Sequence, residues 1–348
     1  MNTAAYIAFL AVAIPGPPAG CRIAFVRNHE LYVLGCSRSG IPVRGARPAR
    51  ICAVPRGAFE WPGSRLDEDA EWTPSGKIAF LPADSPNSVP RIAVVRPVPG
   101  ARPETLARGY DPAFSPDGSR LAYSVDRSTG ANMFTSDLRI MDLRSERSRV
   151  FIRDADLAAW SADGKRIAYA TWAGDHADER VVVADASSGK VLSSFECGNP
   201  CDIRFSPNGR MLAIHDHLSR PLTGHEVIDL KSGESVEVDQ PDEYAPGVLE
   251  DWGPNSRSAL LDWRIVDPNN DGNWIRQYEA ICRLDRKKSR LLVSGRRGRF
   301  TPDGKALLYI ANPTKPAGDL CRRPIDGHGK RTVIARGVSQ FSVSPITP

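Results

Sequence analysis

Asp111–Ser124 reads DPAFSPDGSRLAYS. An aromatic residue, Ser-Pro, Asp-Gly, a basic residue and an alternating Leu-Ala-Tyr make one unit, two short strands joined by a tight turn. Asp-Gly supplies the positive-φ conformation that a hairpin of right-twisted strands needs, and Pro116 helps set the chain into it. The pattern returns at Trp72 (WTPSGKIAF), Trp160 (WSADGKRIAY), Phe205 (FSPNGRMLAI), Trp252 (WGPNSRSALL) and Phe300 (FTPDGKALLY). From Trp72 to Phe300 the anchoring aromatics fall 42, 46, 45, 47 and 48 residues apart. A four-stranded propeller blade takes about 40–45 residues, so the period predicts an all-β chain with one blade per repeat.

These hairpins resemble those of the TolB-like (WD40-like) β-propeller repeat family, whose blades open with an F/W-S-P-D-G unit, and the resemblance covers nearly the whole chain. It implies a binding scaffold that meets its partner through the faces and central channel of the disc. Third strands follow in order, from PRIAVV (Pro90–Val95) to DLCRRP (Asp319–Pro324), and fourth strands are read at Val236–Asp239, Arg290–Ser294 and Thr332–Ala335. Cys21–Val54 looks like a blade missing its opening strand, whereas Ala335–Ser342 carries an opening strand with no blade behind it. Pairing the two closes the ring and removes two exposed sheet edges. The expectation is therefore a seven-bladed propeller over 21–348, with six blades, the count in TolB itself, as the alternative.

Composition sets few further limits. The 348 residues carry a net charge of +5, too mild to argue for nucleic acid. No run approaches the roughly 20 apolar residues of a membrane helix. Residues 1–20 hold an apolar centre, Tyr6–Ile14, and end in Ala19-Gly20 before Cys21, which resembles a lipoprotein leader. The match departs in lacking a Lys or Arg before the apolar run and in having Pro18. A periplasmic or lipid-anchored, exported protein is favoured over a cytoplasmic one, against a disordered extension; a monomer is expected.

No GxSxG, Walker loop, HExxH or CxxC appears, so the common hydrolase, nucleotide and zinc signatures are missing. Asp267, Asn269 and Asp271 followed by Gly272 match the opening of a calcium loop, but Tyr278 stands where the bidentate Glu belongs, and a polar turn uses the same residues. His215 and His217 share one strand face and His225 opens the next strand, a possible metal triad set against plain strand-end polarity. Cys197 and Cys201 span a turn short enough for a disulfide, and Cys36 and Cys52 flank a hairpin; reduced thiols are the other reading.

Two faces compete for a partner. A basic residue follows each opening turn (Lys77, Arg120, Lys165, Arg210, Arg257 and Lys305), forming either a dock for an acidic partner or ordinary solvated turns. The opposite face carries long, dissimilar, acid-rich loops that hold Phe134, Trp172 and Trp274. Aromatics at loop tips are favoured as interface anchors, so these three are the expected binding residues. The leading expectation is a non-enzymatic scaffold for a protein or peptide; the alternative is a metal-assisted lyase or hydrolase with its site at the channel mouth.

Overall fold

Most of the repeated hairpins are built by a serine or threonine, an aspartate or asparagine and a glycine acting on the backbone. Gly118 turns at φ 68° and donates its N–H to the Ser115 carbonyl at 2.8 Å. Buried Ser115 donates its Oγ–H to Asp117 at 2.5 Å, and the same oxygen accepts the Arg120 N–H at 2.9 Å. Ser161 with Asp163, Ser206 with Asn208 and Thr301 with Asp303 repeat the arrangement. Where the sequence has Ser256 in place of glycine, that residue takes the left-handed conformation at φ 57°. Hydrogen bonds from Ser115 and Ser119 hold the Asp117 carboxyl down to about 2.

The computed structural model describes residues 20–54, 70–82, 88–127, 136–171, 179–198, 200–216, 225–236, 245–266, 274–285, 288–312, 315–326 and 328–344. They form seven antiparallel sheets and no helix; numbered along the chain, the blades open at Gly20, Glu71, Tyr110, Ala155, Pro200, Ala245 and Arg296, and Gln340–Val343 joins the first. Six sheets have four strands. The fifth blade has three among the described residues, with a bridge from Ile228 to Ser235 where its fourth strand begins.

An apolar cluster lies between every two consecutive blades, which is what makes the sheets a ring. Ile203 and Leu212 of the fifth blade pack on Val181 and Val183 of the fourth, and Leu307 and Tyr309 of the seventh pack on Leu260 and Ile281 of the sixth. The last cluster joins the seventh blade (Leu308, Ile310, Leu320) to the first (Ile23, Phe25, Leu34).

The ring closes as expected. Gln340–Val343 pairs antiparallel with Gly20–Arg27, in the register Val26↔Gln340, Phe25↔Phe341, Ala24↔Ser342 and Ile23↔Val343. It also reaches the second blade, where the Ser342 hydroxyl donates to the Ala70 carbonyl at 2.7 Å and Gln340 Oε1 accepts the Ala70 N–H at 2.9 Å. The count is seven, and the six-bladed alternative falls.

The cysteines of the first blade pair differently from the expectation. Cys36 stands opposite Cys21, while Cys52 stands opposite Leu31, five residues from Cys36 along that strand. The hairpin turn between the first two strands of the blade carries this register, so a Cys36–Cys52 bridge is corrected to a Cys21–Cys36 juxtaposition.

Candidate functional site: the central channel

The first strand of each blade lines the axis, and its aromatic anchor is a joint to the neighbouring blade. Trp160 donates its indole N–H to the Ala113 carbonyl of the third blade at 3.0 Å. Arg120 from that blade stacks over the Trp160 ring, 4.4 Å from its centroid, and donates to the carbonyls of Gly164 and Ala186. Arg166 repeats this over Phe205 at 5.4 Å, with a 2.7 Å bond to the Gly209 carbonyl. Part of the basic ring is therefore structural. Lys77 pairs with Glu104 and Arg210 with Asp229, each at 3.0 Å within its own blade.

Inside the anchors lies a cavity of about 440 Å³, walled by the first strands of five successive blades, the second to the sixth. Pro74, Pro116, Ala162 and Pro207 also line it, so it extends to the face carrying the opening turns. The strands here are not regular. Their ladders are interrupted between Tyr110 and Ala113, Asp156 and Ala159, and Pro200 and Asp202. Asp111 and Leu157 sit at positive φ, 46° and 52°, within two of these bulges. Bulges re-aim side chains, and here they turn polar residues toward the axis that a regular ladder would space differently. Among the described residues, Glu71, Asp111, Asp202 and Asp251 are the acidic residues that line the cavity and Arg204 the basic one.

Behind Asp251 and Arg204 runs a buried ionic network joining the fifth, sixth and seventh blades. Arg204 donates to Asp202 at 2.5 Å and to the Glu250 carbonyl. Arg299 donates to Glu250 Oε2 at 3.0 Å, and the Phe300 N–H donates to Asp251 Oδ2 at 2.8 Å. Deeper still, Glu279 and Asp262 are directly opposite one another across two strands, both fully buried. Glu279 Oε1 accepts the Gly298 N–H at 2.7 Å, while Oε2 has no hydrogen-bond partner among the described residues. Burial, then the charges of Glu250 and Asp262, push the Glu279 carboxyl well above the usual range. Burial raises Asp251 as well, against the pull of Arg299. Glu250 is buried too, but Arg299 and Arg204 hold it low. Burial and its acidic neighbours thus favour the neutral acid at Glu279, while the arginines favour the anion at Glu250, a division set by which of them faces the arginines.

Sequence reasoning did not find this network, although its signal was present: Asp262 interrupts the apolar run Ser258–Val266, and Glu279 sits in the strand Trp274–Arg283. Of the residues the sequence singles out, Phe134, Trp172, Asp267, Asn269, Asp271 and His217 lie outside the described residues, as do the side chains of Trp274, Cys201 and His225. The backbone places His225 directly opposite His215, the approach expected of that hairpin. Cys197 is half-buried and donates its N–H to the Glu179 carbonyl at 3.2 Å. Glu179 is itself buried. No group of three His, Cys, Asp or Glu side chains placed to hold a metal occurs among the described residues.

No family model matches the chain, and no curated protein matches it. Solved propeller-containing structures do. An oligogalacturonate lyase in complex with manganese aligns over 79% of this chain and 78% of its own at 13% identity and a TM-score of 0.57. The tricorn protease aligns over 95% of this chain and 34% of its own at 13% identity and a TM-score of 0.55. TolB from Acinetobacter baumannii aligns over 95% of this chain and 68% of its own, at 16% identity and a TM-score of 0.49. At these identities the likeness is one of fold: the chain is a seven-bladed β-propeller, in keeping with the TolB-like hairpins, and its neighbours include enzymes as well as TolB.

Proposed function

We propose that the protein is a non-enzymatic propeller scaffold that binds a protein or peptide partner at its central channel. The observation that carries this reading is the cavity walled by five inner strands, lined by Glu71, Asp111, Asp202 and Asp251 with Arg204 among the described residues. Side chains within the blades are committed to holding the ring, so recognition falls to the channel and the loops around it. The long-loop face, with Phe134, Trp172 and Trp274, is the other surface a partner would use, outside the cytoplasm if the leader reading holds. Ala158 lines the cavity at the edge of the cluster between the third and fourth blades and is small, so Ala158→Arg puts a long charged side chain into the channel. In pull-downs from native lysate, with folding checked by circular dichroism, Ala158→Arg is expected to lose a partner that wild type retains. Loss only in Phe134→Ala with Trp274→Ala moves the site to the long loops, and retention in both variants overturns the proposal.

One observation favours the alternative, a metal-assisted lyase or hydrolase: the backbone register sets His215 opposite His225 at the end of the fifth blade. Calorimetric binding of manganese(II) that His215→Ala abolishes would replace the scaffold reading with that one.

A further inference from the structure

The first blade brings two thiols together that the sequence holds 15 residues apart. The turn between its first two strands is Asn28-His29, with φ 51° and 59°, and Arg27 opposes Glu30 across it. That is a two-residue turn of the twist-matched type, in which the closing pair is hydrogen-bonded and such pairs recur at every second position. Counting from Arg27↔Glu30 along the register puts Cys21↔Cys36 at a hydrogen-bonded pair. Its Cα atoms stand about 5.5 Å apart by that geometry, inside the roughly 4.4–6.8 Å that a disulfide spans.

Directly opposed residues point to the same face of a sheet. Both side chains enter the cluster between the seventh and first blades, Cys21 at 2% exposure and Cys36 at 0%, beside Leu308, Ile310 and Phe341. The two thiols are unbridged here, and Cys21 Sγ donates to the Ser37 carbonyl at 3.0 Å. Burial, then the charge of Asp303, raises the Cys21 thiol to about 11; burial, then Cys21 itself, raises Cys36 to about 12.

We propose that Cys21 and Cys36 are a redox pair that forms a cross-strand disulfide when the chain folds in the presence of a small-molecule disulfide such as oxidised glutathione. The thiolate of one cysteine attacks a sulfur of the oxidant, giving a mixed disulfide and releasing one oxidant thiolate. The other cysteine, its proton lost to water, attacks the protein sulfur of that mixed disulfide and displaces the second. The protein gives up two protons and two electrons, and the oxidant's S–S bond becomes two thiols. In the folded protein so little thiolate exists at neutral pH that exchange is slow; in the unfolded chain ordinary cysteine ionisation permits it. The bond is thus made before the cluster closes and is then sealed beneath it. Because Gly20–Arg27 is also the strand on which the ring closes, the staple keeps this hairpin registered when Gln340–Val343 detaches. The sulfur it uses is the one a lipid anchor on Cys21 would need, so the two fates exclude each other.

Peptide mapping of the full chain, refolded with oxidised glutathione, blocked with an alkylating agent and digested with trypsin, tests this directly. The expected product joins the Cys21 peptide to the Asn28–Arg38 peptide, with a mass 2 Da below the reduced pair. Melting of the oxidised protein should fall by several degrees on adding a phosphine reductant, and Cys21→Ser with Cys36→Ser should show no such response. Recovery of Cys21 alkylated, glutathionylated, lipidated or joined to Cys52 overturns the pairing. The mapping is made on wild type, so it decides the matter even if the double variant fails to fold.

Discussion

Replacing Glu279 by Gln should weaken the dependence of the propeller's stability on pH above the unfolded carboxyl value of about 4.3. Glu279 is fully buried, and both Glu250 and Asp262 add to the cost of charging it. Its folded pKa is raised, so the native state holds a proton that the unfolded chain releases near pH 4.3. Stability from this group is therefore fully present below that value and declines as pH climbs toward the folded pKa. The slope is about 1.4 kcal/mol per pH unit for one proton. Across two units wild type stands to lose up to about 2.7 kcal/mol, or roughly 5 °C in melting temperature at the lower sensitivity of a large domain. The carboxylates whose pKa is lowered by turn hydrogen bonds, Asp117 and Asp163 among them, lose their contribution only on acidification through still lower pH and leave this window alone. In Glu279→Gln the amide oxygen keeps the Gly298 N–H bond and no proton can leave, so the slope from this site vanishes. Urea denaturation at half-unit pH steps measures it. Wild type and variant should nearly coincide below about pH 4.3 and separate as pH rises. Parallel curves across the window would show that Glu279 is already ionised in the folded state, and the buried-acid argument would be wrong.

Phe341→Ala removes the aromatic anchor of the closing strand from the cluster of the seventh and first blades and should cost about 3–5 kcal/mol. Deleting 338–348 should lower the melting temperature further or cause aggregation through the exposed edge, and an unchanged melting curve would contradict the closure. A Cβ at Gly298 would lie 2.4 Å from Leu260 Cδ2 and 2.5 Å from Glu279 Oε2, so Gly298→Ala should destabilise by roughly 1–3 kcal/mol in denaturant titrations. Arg120→Ala should cost about 1–2 kcal/mol through the lost Trp160 stacking and carbonyl bonds, while exposed Lys165→Ala stays within about 0.5 kcal/mol; equal effects would return the basic ring to simple surface charge.

The fold was legible because a propeller is written locally. Each hairpin has its aromatic anchor and a residue at positive φ, in most of them a glycine with a Ser or Thr holding the turn, and these recur at the period of a blade. Even the closure, a contact across more than 300 residues, could be read because the opening strand at 335–342 echoes a complete repeat and lacks a partner of its own.

The site was not legible in the same way. Cys36 lies 16 residues from Cys52 and 15 from Cys21, and only the register of the Asn28-His29 turn decides which of the two it faces. Glu250, Asp262, Glu279 and Arg299 come from four different strands, and in sequence each is one charged residue among many. The repeat period determined by itself that the chain is a propeller; the terminal strands pointed to a seventh blade, and the register of Gln340–Val343 on Gly20–Arg27 decided it over six. Tertiary structure alone decided which strand bulges turn Asp111 toward the axis and which carboxyl lies beside the arginines. Those outcomes depend on side chains from neighbouring blades meeting in one desolvated place, where the charge of each group is set by the others.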